Sequence, residues 1–180
     1  MIYLSHYHSP LGAITLAGND SALLGLWFDG QKYDRAAIRG MDFCERETQA
    51  ICCAKTWLSA YFSGQRPNEL PPLQLAGSDF RKCVCKIMLT IPYGHTMTYG
   101  EIAAEAAHLL GRARMSAQAV GGAVGHNPIS LIIPCHRVVG SSGSLTGYAG
   151  GIERKLWLLG HEGIDIEKSG FFIPQNGNAL

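Results

Sequence analysis

Apolar and polar residues alternate over the first thirty positions, and then the period changes. Ile2–Ser9 (IYLSHYHS), residues 13–18 (AITLAG) and residues 22–28 (ALLGLWF) read as three strands, because side chains two apart share one face of a pleated chain. Pro10 with Gly12, and Asn19 with Asp20, punctuate them as hairpin turns. Between residues 45 and 64 the repeat lengthens. Ala54, Trp57, Leu58, Tyr61 and Phe62 fall at helical spacing, and Gly64 is placed to end the helix. RPNELPP (66–72) is a connection, which puts a boundary near residue 76 and divides the chain into domains 1–76 and 77–180.

The second half is helical in pattern. Phe80, Val84, Ile87, Met88 and Ile91 form one apolar stripe, stopped by Pro92 and Gly94. Thr98 and Glu101 make a capping box that opens a helix running to about Leu110. Ser116 caps a second short helix, SAQAVGGAVG, across the basic turn Gly111-Arg112-Ala113-Arg114, and the pair reads as a helix-turn-helix. A last helix covers 152–161 and ends near Gly163. Gly121 and Gly122 inside the second short helix cost about 1 kcal/mol each relative to alanine. Its surface offers Ala117, Ala119, Ala123 and one long polar side chain, Gln118, whereas a helix that reads the major groove wants several Arg, Asn or Gln. Two readings follow: tight packing on another helix, or close backbone approach to something narrow.

Composition narrows the class. Of 180 residues, 47% are apolar and 16% charged, which is a folded globule and excludes a disordered chain. No apolar run approaches the roughly 20 residues of a membrane-spanning helix. MIYLSHYHSP lacks the basic and apolar segments of a signal peptide, so a cytoplasmic protein is expected, or a nuclear one in a eukaryote. Cys52-Cys53 and Cys83-Val84-Cys85 lie in helical stretches and no Cys-x-x-Cys occurs, so reduced, mostly buried thiols and no metal site are expected. The net charge of +1 hides a difference between −2 over residues 1–80 and +3 over residues 81–180, a mild basic bias compatible with nucleic acid.

The densest chemistry is NPISLIIPCHRVVGSSGSLTGYAGG, residues 127–151. The apolar run SLII reads as a strand-like segment that breaks into a turn at Pro134, leaving Cys135 at the break. Cys135 has three readings: nucleophile, metal ligand or small core residue. In a regular strand His136 would point away from it, so direct help from that imidazole requires the backbone to turn. Glu162 sits at a helix C-terminus, where the dipole disfavours an anion, so a partner is expected; a carboxylate on His136 would fix its tautomer.

PCHRVVGSSGSLTGYAGG, with NP upstream and RKLWLLGHEG downstream, resembles the O6-alkylguanine–DNA alkyltransferase family, also called methylated-DNA–protein-cysteine methyltransferases. The match runs from about Phe80 to Gly163; SPLGAITLAG and LLGLWFDGQKY resemble that family's first domain more loosely. The resemblance implies an α/β ribonuclease-H-like domain followed by a mainly α, winged-helix-like domain containing the helix-turn-helix. It implies alkylated double-stranded DNA as partner, entered through the minor groove by Ala117, Gln118 and Gly121, and a flipped guanine. Cys135 would take the alkyl group from O6 of guanine, with O4 of thymine a second candidate. His136, backed by Glu162, would accept the thiol proton through a water, and Asn127 would link the halves of the site. Tyr99 would aid rotation and protonate the leaving base. Tyr148, the Ala149 backbone and the Val138 carbonyl would line the guanine pocket, with Lys155 beside them. Many members carry arginine where Gln118 stands, which implies a weaker grip here. No cofactor, no metal and no membrane are implied, and the protein would act as a monomer that reacts once. A DNA-binding regulator without transfer and a Cys/His thiol hydrolase are the rivals.

Overall fold

The computed structural model describes residues 1–174, which fall into two compact units: Met1–Ala76 together with Pro128–Ile132, and Gly77–Asn127 together with the residues from Ile133 onward. The return of 128–132 to the first unit departs from the single expected boundary. Pairing explains it: Leu26 N–H donates to the Pro128 carbonyl at 2.9 Å, and Ser130 N–H donates to the Leu26 carbonyl at 2.8 Å.

In the first unit β1 (Ile2–Ser9), β2 (Gly12–Gly18) and β3 (Leu23–Phe28) form an antiparallel meander, and β4 (Phe43–Glu45) adds beside β1 in parallel, giving the order β3-β2-β1-β4. The expected strands hold; β4, with three exposed residues, leaves no alternating pattern to read. The helix α1 (Gln49–Phe62) starts later than the period suggested, because the Thr48 side chain accepts from Ile51 N–H and caps it. Ala50, Ile51, Ala54, Trp57, Leu58 and Tyr61 are its buried stripe. Leu4, Ala17, Trp27 and Ile38 cluster in the core. Gly25 makes room there: a Cβ at that position would lie 1.8 Å from the Trp27 ring.

In the second unit α2 (Asp79–Leu89), α3 (Tyr99–Leu109) and α4 (Ala117–Gly125) pack mutually, and α5 (Ile152–His161) follows. The Thr98–Glu101 capping box is made in both directions, and Ser116 accepts from Ala119 N–H to cap α4. Two short strands unseen in the sequence, β5 (Met97–Thr98) and β6 (Val138–Val139), pair in parallel. The run 130–133 is not a strand. It is a buried series of turns in which Leu131 takes φ 70°, a left-handed value that costs a branched side chain energy. Among the described residues all six cysteines are free; Cys83, Cys85 and Cys135 are buried, but Cys44 is exposed and Cys52 and Cys53 are half-buried, so the expectation of mostly buried thiols holds for half of them. No described helix is long and apolar enough to cross a membrane.

Candidate active site

Pro134 delivers the chain into a single 3-10 turn, Cys135–Arg137, and the turn leads into β6. The turn is the geometry that lets Cys135, His136 and Arg137 serve one site, although neighbours in a strand could not. Cys135 is 3% exposed. The Asn127 amide donates to Cys135 Sγ at 3.0 Å and to the Ile133 carbonyl at 2.8 Å, so one side chain holds both the sulfur and the backbone two residues before it. Asn127 follows directly on α4, its N–H bonded to the Val124 carbonyl. The end of the second helix of the helix-turn-helix is thereby tied to the thiol.

His136 is fully buried, and its Nε2 lies 2.7 Å from Glu162 Oε1. Glu162 caps the C-terminus of α5, where its charge opposes the dipole, and its compensation is complete. Arg137 donates to both carboxylate oxygens, Nε to Oε2 at 2.8 Å and Nη2 to Oε1 at 3.0 Å, and the Gly94 N–H donates to Oε2 at 3.1 Å. The remaining Arg137 reach ends on the Ile91 carbonyl at 2.6 Å. Burial alone would raise the Glu162 carboxyl, but the hydrogen bonds and charges of His136 and Arg137 outweigh it and hold the group well below the usual carboxylate range.

Lys155 is fully buried on α5, with Nζ donating to the carbonyls of Val138 at 2.5 Å and Thr146 at 3.0 Å. Burial lowers it to about 8, against the pull of Cys135. The Tyr99 hydroxyl donates to the same Thr146 carbonyl at 3.0 Å, and burial pushes that phenol up, so it stays protonated. The Tyr148 ring meets His136 edge to face at 6.4 Å. Burial raises the Cys135 thiol, opposed by the Asn127 hydrogen bond, the Lys155 charge and two backbone N–H groups; burial lowers His136, opposed by Glu162. The resting pair is therefore a thiol and a neutral imidazole, with a cation near enough to favour the thiolate once the proton leaves.

The structure puts the Asn127 amide on the Cys135 sulfur and Lys155, Tyr99 and Tyr148 within its electrostatic reach, while His136 pairs with Glu162, the Val138 carbonyl with Lys155, and Ala149 is half-buried next to Tyr148. The Val138 carbonyl, expected to face a guanine amino group, already accepts from Lys155. On α4, Ala117 and Gln118 are exposed, but Gly121 is buried and cannot stand on an outward face; Gly122 is the exposed glycine. Two participants escaped the sequence reading. In the sequence Arg137 is only a basic residue two places after Cys135, and Gly94 only a helix stop; neither pattern reports a fold that brings residues 94, 137 and 162 together. Among the described residues no group of three His, Cys, Asp or Glu side chains is arranged to hold a metal ion.

Fold and site together define a protein built around one buried, hydrogen-bonded cysteine on a helix-turn-helix unit. Residues 2–76 match the model of the 6-O-methylguanine DNA methyltransferase ribonuclease-like domain, and residues 79–164 that of its DNA-binding domain. A methylated-DNA–protein-cysteine methyltransferase of Mycobacterium bovis is 44% identical over 94% of both chains, and one of Methanosarcina barkeri is 38% identical over 88% of this chain and 95% of its own. The crystal structure of the Mycobacterium tuberculosis O6-methylguanine methyltransferase is similar at TM-score 0.75, with 42% identity over 98% of this chain and 97% of that one. A structure of the same organism's protein in complex with DNA is similar at TM-score 0.73, with 42% identity and 94% of each chain covered. The chain belongs to the methylated-DNA–protein-cysteine methyltransferase family.

Proposed function

We propose that this chain repairs double-stranded DNA alkylated at O6 of guanine by moving the alkyl group onto Cys135 Sγ, acting as a monomer and without a cofactor, in the cytoplasm or, in a eukaryote, the nucleus. The contact that carries this reading is the Asn127 amide on the Cys135 sulfur at 3.0 Å, at a turn whose next residue, His136, is paired with Glu162 in the interior. A hydrogen bond donated to sulfur stabilises a thiolate more than a thiol. The proton leaves Cys135 for His136 through a water; with Nε2 committed to Glu162, Nδ1 is the nitrogen that receives it. The thiolate attacks the alkyl carbon, the carbon–O6 bond breaks, and its electron pair returns to the guanine as Tyr99 supplies a proton. A duplex base cannot be attacked within the stack, so the nucleotide is extruded first, with Ala117 and Gln118 of α4 in the minor groove. Tyr148, Ala149 and Val138 line the base, and Lys155 supports the thiolate.

A thioether is a poor leaving group, so each molecule reacts once. Mixing the protein with duplex bearing O6-methylguanine should add one methyl mass permanently to the peptide containing Cys135. Cys135→Ser should gain none while still binding the duplex. Binding without mass gain in the unaltered chain would instead mark a regulator, and repeated turnover a hydrolase; a Cys135→Ser chain that still accepts methyl would overturn the assignment.

A further inference from the structure

The segment between α3 and α4 carries charge that neither helix uses. The C-terminus of α3 closes on Gly111, whose φ is 61°; its N–H donates to the His108 carbonyl at 3.2 Å, and Arg112 N–H donates to the Ala107 carbonyl at 2.8 Å. This double closure ties the backbone of Arg112 to the last turn of α3. Four residues on, Ser116 pins the other end of the segment by capping α4. Arg112 and Arg114 lie in this short, doubly anchored span; both are exposed, and neither makes an ion pair or a side-chain hydrogen bond among the described residues. α4 itself, AQAVGGAVG, contains no charged residue at all.

We infer that Arg112 and Arg114 are the phosphate-gripping pair of this protein, holding the DNA backbone beside the groove that α4 enters. The inference rests on the proposed DNA reading and deepens it by assigning the electrostatic work to the turn. Without a charged side chain, α4 offers the polyanion only the partial charge of its N-terminus, so the release of counterions that drives most duplex affinity must come from cations next to it. Two residues of extended chain span about 7 Å, so both guanidinia are launched close enough to take phosphates of one strand. Arginine suits the task because its planar fork matches two phosphate oxygens and stays charged at every working pH. The pinned backbone at Arg112 means that little order has to be gained on binding, in contrast to a cation on a loose loop.

The test is the salt dependence of binding to unmodified duplex, measured beside methyl transfer from O6-methylguanine supplied as free base. Each phosphate contact contributes about 0.9 to the slope of log affinity against log salt. Arg112→Ala and Arg114→Ala should each lower the slope by about 0.9, and the double variant by about 1.8, with affinity at low salt falling at least about tenfold. Arg112→Lys with Arg114→Lys should keep the slope, and Lys168→Ala, which removes an exposed cation elsewhere in the unit, should leave it alone. Transfer from the free base should be unchanged throughout, because no phosphate is involved. An unaltered slope in the double alanine variant overturns the inference while leaving the repair reading intact. Loss of transfer to Cys135 in the unaltered chain would overturn that reading instead.

Discussion

Glu162 takes hydrogen bonds on both carboxylate oxygens, from His136, from Arg137 through two nitrogens, and from the Gly94 N–H. Such saturation lets a carboxylate stay ionised in a buried site, and it fixes which nitrogen of His136 faces away. Glu162→Gln should separate the two roles. Alkyl transfer should fall about a hundredfold, within the range of a lost general base. The acid limb of its pH–rate profile should move to lower pH, because the imidazole loses the anion that raises it. Thermal unfolding should show a loss of about 3 kcal/mol, since the buried Arg137 charge is left without its counter-ion. An acid limb that stays in place would remove Glu162 from any control of His136. Stability has its own pH dependence. As pH falls, the unfolded chain takes up protons near 6.5 at His136 and near 4.5 at Glu162, before the folded chain does, so stability present at neutral pH is lost across both windows. At this scale the sequence was informative where chemistry is packed into one stretch: Cys135, His136 and Asn127 stand within ten residues. Glu162 was legible from its unfavourable place on a helix. Arg137's clamp was not, since it depends on a contact across twenty-five positions.

Among the elements, α4 carries a conflict between what a helix prefers and what it has. Gly122 is exposed, and a Cβ built on it would meet nothing within 4 Å, so the fold does not require glycine there. Gly122→Ala should therefore stabilise the protein by about 1 kcal/mol through helix propensity. If the backbone of α4 approaches the floor of a narrow groove, the same methyl should weaken duplex binding severalfold, with free-base transfer unchanged. Stabilisation with undiminished binding would take Gly122 off the DNA face. Helices with caps and strands with alternation were readable because each signal is local, as at Ser116, Thr98 and Ile2–Ser9. Segments 130–133, β4, β5 and β6 were not. A short apolar run has no period that separates strand from buried turn, and two- or three-residue strands owe their existence to a distant partner.

On the level of the whole chain, the positions leading to Cys135 do not stay in one unit: 128–132 belong with the first, and Asn127 and Ile133 with the second. No compositional break marks that excursion, and the connection at 66–72 was the one boundary signal available. A chain of two units is not bound to unfold in a single step, so its stability is best followed by probes in each. One such measurement bears on the end of the protein's working life. Cys135 is almost sealed from solvent, and its sulfur sits against an amide that expects a strong acceptor. A methyl group placed on that atom adds volume beside a buried sulfur and weakens the contact, and overpacking of that kind typically costs about 1–3 kcal/mol. The methylated form should melt several degrees lower than the fresh one and be cut faster by protease at the same temperature; equal melting would mean that the pocket has room to spare. Repair would then leave its own mark, since the molecule that has removed a lesion becomes the molecule most easily destroyed.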